Sequence, residues 1–150
     1  MPLSNVTLTN AVVLADGDTG ALAGSSTSPF KISTGIRPST ALTATIATGA
    51  SLSDVVTIPD GFRVEALAIP AGWTTANMTF QVSIDGTNFY DAYEYGNELL
   101  FYPIAGKATC LGPENSLKIS KKYLKVRSGT AASAIAQTSG AAVSLWLVSM

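Results

Sequence analysis

The chain has 150 residues, nine Lys and Arg against ten Asp and Glu, no histidine and a net charge of −1. One domain-sized core is expected at this length, and a charge balance so near zero gives no long-range field to collect nucleic acid or an anionic membrane surface. The lack of histidine removes the commonest general base, the commonest zinc ligand and every Ser-His or Cys-His nucleophile pair.

Charged residues make up 13% of the sequence, about half the roughly 25% usual in globular proteins. Thr, Ser, Gly and Ala take their place, and a surface so poor in charge suits contact with other protein. The opening MPLSNVTLTN lacks the basic and apolar regions of a signal peptide, and no apolar run reaches the roughly 18 residues of a membrane span. The expected location is therefore the cytoplasm until the protein is assembled into something larger. Cys110 is the only cysteine, which rules out an internal disulfide and agrees with a reducing compartment. Its alternation with Thr109 and Leu111 predicts a buried strand thiol.

Residues 1–53 hold only four charged side chains, Asp16, Asp18, Lys31 and Arg37, and one aromatic, Phe30. Aromatics supply the largest buried areas in a core, so the folded body must lie mainly in the rest of the chain. Val6, Leu8 and Val12 to Leu14 form short apolar runs. Turn-forming stretches follow, Asp16-Gly17-Asp18-Thr19-Gly20 and Gly24-Ser25-Ser26-Thr27-Ser28-Pro29. Residues 1–38 read as an extended arm, able to reach on the order of 100 Å across a neighbouring subunit. The alternative is an ordinary strand near Val6 to Leu14, joined to the body by a loop.

The body, residues 39–150, reads as strands throughout. Leu42, Ala44 and Ile46 alternate with Thr in Ala41 to Thr48, and Asp54 to Ile58 is a second strand stopped by Pro59-Asp60-Gly61. Phe62, Val64 and Ala66 alternate in a third, where the apolar phase slips at Leu67 and Ile69, predicting a bulge or burial on both faces. Met78, Phe80, Val82 and Ile84 give the clearest alternation in the chain. Asp85-Gly86 then predicts a tight type I′ turn and an aromatic return strand from Asn88 to Tyr93. Glu98 to Tyr102 is apolar on both sides and reads as central. Lys107 to Leu111 makes a short strand. Leu117, Ile119, Leu124 and Val126 oppose Lys118, Lys125 and Arg127, and Val143 to Val148, containing Trp146, is the last strand. The Ala-rich segment from Ala131 to Ala142 reads as a loop, since it carries Ser, Thr and Gly140 and no charge. Eight to ten short strands predict an all-β fold: a single antiparallel β-sandwich or jelly roll preceded by the arm.

Chemistry is sparse. Asp85, Asp91, Glu94 and Glu98 fall close enough in sequence for a carboxylate pair or a calcium site, but Asp85 is explained by its turn and the others alternate with aromatics as solvent-facing strand residues do. Asp16 and Asp18 form an Asp-x-Asp with no third acid nearby. No catalytic residue, cofactor or metal is expected, and the chain reads as a non-enzyme. Lys118, Lys121, Lys122, Lys125 and Arg127 form a basic group, read as a solvated strand edge or as the partner of the Asp91 to Glu98 region of a neighbouring copy. Among the aromatics, Tyr90, Tyr93, Tyr95 and Trp73 are candidates for a subunit interface or for stacking on a glycan.

Gly72-Trp73, Met78-Thr79-Phe80-Gln81-Val82-Ser83 with Asp85-Gly86 and Phe89, and Tyr123-Leu124-Lys125-Val126-Arg127-Ser128-Gly129-Thr130 with Gln137 form a pattern that resembles small virion proteins of tailed bacteriophages and related gene-transfer particles. The likeness covers roughly residues 55–148, leaves the arm unmatched and departs in the Ala-rich segment after Thr130. It implies a β-sandwich subunit of the particle, on the head or in the tail, and carries over no catalytic residue. The expectation is a capsid decoration or cement protein that binds the major capsid protein or another virion protein and forms a homo-oligomer, a trimer being favoured. Candidate interface residues are Val6, Leu8, Val12, Leu14 and Phe30 in the arm, with Trp73, Tyr90, Tyr93, Tyr95, Lys121 and Lys122 in the body. The alternatives are a tail or neck component, or a head-fibre module that contacts host glycan.

Overall fold

The structure, a computed structural model, describes residues 38–150. Val6, Leu8, Val12, Leu14, Asp16, Asp18 and Phe30 lie outside the described residues. Ten strands and one helix follow in chain order: β1 Ser39–Ile46, β2 Val56–Thr57, β3 Phe62–Ala68, β4 Met78–Ser83, β5 Tyr90–Asp91, β6 Tyr93–Glu94, β7 Asn97–Glu98, β8 Ala108–Cys110, α1 Pro113–Ile119, β9 Tyr123–Ser128 and β10 Ala141–Ser149.

The strands pair as nested antiparallel couples, β1 with β10, β2 with β9, β3 with β8 and β4 with β5. That is the pattern of one long hairpin rolled up on itself. Lateral pairing of β10 with β3 and of β9 with β4 completes two four-stranded sheets, β1-β10-β3-β8 and β2-β9-β4-β5. The order is that of a jelly roll, and it decides between the two all-β architectures expected from the sequence. Strands β6 and β7 form a separate small hairpin inserted between β5 and β8.

Alternation builds the core. Ala44, Ile46, Val64, Leu67, Val143, Leu145 and Leu147 from the first sheet meet Val56, Met78, Phe80, Leu124 and Val126 from the second. Phe80 and Phe101 pack edge to face at 5.2 Å between centroids, the arrangement the ring quadrupoles favour. The phase slip in β3 is a bulge. Trp146 pairs with Ala66 and Leu147 with Val64, so Glu65 is the extra residue.

Several local expectations are corrected. Asp85-Gly86 is not a type I′ turn: Gly86 has φ +76, but Asp85 is not among the residues with positive φ. The Asp85 carboxylate instead accepts from the backbone N–H groups of Thr87 at 2.9 Å and Asn88 at 2.8 Å, and from the Asn88 amide at 2.7 Å. This local alternative to a tight turn holds open a six-residue connection, residues 84–89, and leaves Ile84, expected inside, 83% exposed.

Glu98 to Tyr102 is not a central strand. After β7 it runs irregularly beside β4, bridged by Met78 and Phe101, with Leu99 and Phe101 buried and Tyr102 exposed. Leu117 and Ile119 lie in α1, not in a strand. Pro113 in the first turn, Glu114 after it and Lys118 in the last turn are the helix signals. The helix is tied to β3: Ser116 Oγ donates to the Val64 carbonyl, and the Val64 N–H donates to Ser120 Oγ at 2.9 Å. Cys110 is exposed, not buried, because β8 is a three-residue edge strand whose inward position after it is taken by Leu111.

Candidate interaction surface

The small β6–β7 hairpin carries the most unusual side chain in the described residues. Register pairs Glu94 with Asn97, leaving Tyr95 and Gly96 as a two-residue loop. Their φ values are +47 and +81, so the type I′ geometry expected at Asp85-Gly86 occurs here. Gly accepts that conformation freely, whereas an L-residue with a bulky side chain is held in it at a cost of roughly 1–2 kcal/mol. The Tyr95 ring is 95% exposed and gains nothing inside the chain to offset that cost.

Open clefts flank Tyr95 on both sides. One, of about 330 Å³, is lined by Glu94, Tyr95, Asn97, Glu98 and Asn115 together with residues 99–101. The other, of about 440 Å³, is lined by Glu94, Tyr95, Glu114, Lys118 and Lys121. Helix α1 forms a wall of each, and an ion pair between Lys118 Nζ and Glu94 at 2.5 Å holds the hairpin to it. Tyr90, Tyr93 and Tyr102 are also exposed, so the tyrosines from β5 to the segment after β7 make this margin rich in solvent-facing rings.

Beneath the margin the acidic residues are already used. Arg127 of β9, buried beyond nine-tenths, places one guanidinium nitrogen 2.5 Å from Asp91 and the other 3.2 Å from Glu98. Glu98 also accepts the Ala131 N–H at 2.9 Å, and Asp91 accepts from the Gln81 amide at 3.0 Å. The sequence alternatives of a solvated basic edge, or of a basic edge meeting the acids of a neighbouring copy, are therefore corrected for Arg127 and Lys118. Both find Asp91, Glu94 and Glu98 within the same chain. Asp91 and Glu98 face a cation, which is a structural use and not that of a carboxylate pair poised for acid–base work.

The remaining candidates are dispersed. Trp73 is 5% exposed and part of the core, with its indole N–H donating to the Ala76 carbonyl at 3.3 Å. Its place as a surface contact is thereby corrected, since the loop after Pro70 turns the ring inward. Lys122 pairs with Asp60 at 2.7 Å, which raises its pKa above the usual lysine value. Lys121 is exposed and lines the cleft beside Tyr95. Lys125 sits over the Phe89 ring at 4.2 Å from its centroid.

Gln137 was named in the sequence only as part of a motif, and the structure gives it a role. It is fully buried. Its side-chain oxygen accepts the Thr74 N–H at 2.8 Å, and its amide donates to Ser128 Oγ at 2.7 Å. Its backbone bonds to Gly49 and Ala50. The motif residues Trp73, Met78 to Ser83, Tyr123 to Thr130 and Gln137 thus converge on the β4–β9 pair and the loops clamped over it.

Comparison with protein-family models, with curated proteins and with solved structures finds no match to this chain. The resemblance to phage virion proteins rests on those motifs alone, and they are residues of the fold.

Proposed function

We propose that this chain is a non-enzymatic structural subunit of a tailed-phage-type particle, and that it acts as a capsid decoration or cement protein. Its N-terminal segment engages the major capsid protein and its jelly roll presents the tyrosine margin. The observation that carries the interaction role is Tyr95, an aromatic held at positive φ and almost wholly exposed. Such strain is retained at sites that work outside the chain, and tyrosine is enriched where proteins bind. The low charge of the surface supports the same reading. Assignment to a virion is drawn from the sequence resemblance, and the jelly roll is an architecture used by viral capsid proteins among others.

A second reading is favoured by the cleft in which Tyr95 stands beside Asn97, Asn115 and Glu94. An exposed ring flanked by amides and a carboxylate suits the apolar face and hydroxyls of a glycan, as in a head-fibre module.

Co-sedimentation with expanded empty capsids separates the two. The intact protein should pellet with capsids and lose binding when residues 1–38 are removed, with hundreds of copies on each particle. Failure of the intact protein to bind capsids, together with binding to a glycan array that Tyr95→Ala abolishes, would replace the first reading by the second.

A further inference from the structure

The sheet β1-β10-β3-β8 ends at β1, and hydrogen bonding shows what that end offers. The Pro38 carbonyl faces β10 and accepts the Ser149 N–H. Thr45 turns both its backbone groups the other way: its N–H donates to the Asp54 carboxylate at 2.8 Å, and its carbonyl accepts the Asp54 N–H at 3.0 Å. Register on β10 is unbroken from Ser39 to Ile46, and backbone groups alternate in direction along an antiparallel strand. Ser39, Ala41 and Thr43 therefore face outward as Thr45 does, each with one donor and one acceptor. Among the described residues nothing bonds to these six groups. The outer strands β2, β5 and β8 are only two or three residues long, which leaves little to pair with. β1 has eight residues, with no charge, proline or bulge to guard it. The core margin is open here as well: Leu42 is half-buried against the core, and Val55, next to Asp54, is 43% exposed.

We propose that β1 receives an extended segment of a partner protein as a fifth strand of this sheet. Donors and acceptors at alternate residues, about 6.8 Å apart, match a polypeptide backbone, and antiparallel entry gives the more stable ladder. Side chains set the segment's chemistry. Those beside Thr40 and Leu42 turn toward the core margin and are apolar or β-branched; those beside Ser39, Ala41 and Thr43 turn to the outer face and are polar. Two exposed acids bracket the run. Asp54 stands at the Thr45 end, and Glu65 lines a cleft of about 300 Å³ with Ser39, Thr40 and Ala41. Among the described residues neither is in an ion pair, whereas Asp60, Asp91, Glu94 and Glu98 all are. The segment that fits is therefore about seven residues long, alternating and uncharged in its middle, with Lys or Arg at both ends. Its docking is a separate contact from the tyrosine margin and stands whichever reading of the function holds.

The test uses the full chain and the end-capped peptide Lys-Thr-Val-Thr-Val-Thr-Lys. Titration calorimetry should give a Kd between about ten micromolar and about one millimolar. In the unaltered protein the amides of Ser39, Ala41 and Thr43 should exchange freely with solvent and slow when the peptide is saturating. Ala41→Pro removes one outward N–H, a change that an edge strand tolerates, so the variant should stay folded and bind at least about tenfold more weakly. Asp54→Asn together with Glu65→Gln should weaken binding roughly three- to tenfold and leave unchanged the affinity for the same peptide ended in Gln. No binding up to about one millimolar, or binding indifferent to Ala41→Pro or to loss of both acids, would overturn the proposal. So would a free protein whose three amides are already slowed, or one that dimerises in sedimentation equilibrium and is made monomeric by Ala41→Pro, because the edge would then be filled by the chain itself. The exchange measurement needs no variant, so it decides the matter even if Ala41→Pro fails to fold.

Discussion

Replacing Tyr95 by Asn should make the protein more stable while removing its most exposed aromatic ring. Tyr95 sits at φ +47 and is followed by Gly96 at φ +81, so the substitution creates Asn-Gly, the pair that best fits a type I′ turn. The left-handed region costs an ordinary L-residue roughly 1–2 kcal/mol, and Asn recovers part of that through local hydrogen bonding. With the ring 95% exposed, almost no apolar burial is lost. The net gain should be about 0.5–1 kcal/mol, or roughly 2–4 °C in Tm for a domain of this size. Tyr93→Asn is the control: Tyr93 lies in β6 and is 57% exposed, so the same change there should destabilise by a few tenths of a kcal/mol through poorer strand propensity. Urea denaturation of the three proteins, compared at constant m, reads the difference. If Tyr95→Asn is neutral or destabilising, the ring contributes inside the chain, and the case for its external use fails.

Arg127→Met should cost about 3 kcal/mol of unfolding free energy, read from the urea midpoint at constant m, because it leaves Asp91 and Glu98 without their cation. The low end of the range for a broken buried pair applies, since the Asp91 side chain keeps 29% of its exposure. Gln137→Leu should destabilise by about 2–3 kcal/mol by orphaning the Thr74 N–H and Ser128 Oγ, with faster proteolysis in the 131–140 loop as a local readout. Hydrogen bonds from the Asn88 side chain, then from the Asn88 and Thr87 N–H groups and from Ser83, hold the Asp85 carboxyl well below its usual pKa. A depressed folded pKa stabilises above the unfolded value of about 3.9 and is lost as pH falls through the folded one. An NMR titration should therefore find the Asp85 midpoint below that of an unstructured aspartate, and Asp85→Asn should flatten the acid limb of stability below about pH 4; a midpoint at the ordinary value would remove the loop's explanation.

Period-two alternation was enough to place β1, β3, β9 and β10, because each buries one face and exposes the other. It also located the bulge in β3 to within two residues. It failed where a local hydrogen bond or a short length competes with it. Asp85 reads as a hairpin residue until its carboxylate is seen holding four donors, and seven residues of α1 carry too few apolar positions to tell a helix from a strand. The outward phase of Arg127 was read correctly, but its burial was not, because the acids that cover it arrive from β5 and β7, some thirty residues away. Tyr95 was visible as an aromatic near a glycine; its positive φ was not, since Tyr is a residue that seldom adopts it. The nested strand order, too, is a property of pairing that no local pattern encodes.

That nesting has a consequence for synthesis. β10 is an inner strand of its sheet, lying between β1 and β3, and it is the last strand of the jelly roll to be synthesised. About a hundred residues separate it from β1, which corresponds to roughly 5–20 s of translation at typical rates. Until then β1 and β3 each present an edge that only β10 can fill, and β1 itself carries no charged residue or proline to deter a stray strand. Completion of this sheet therefore waits until β10 has been made. A chain cut short before Ala141 loses the middle of a sheet and not a dispensable tail, so premature termination should yield insoluble protein in place of a smaller folded one.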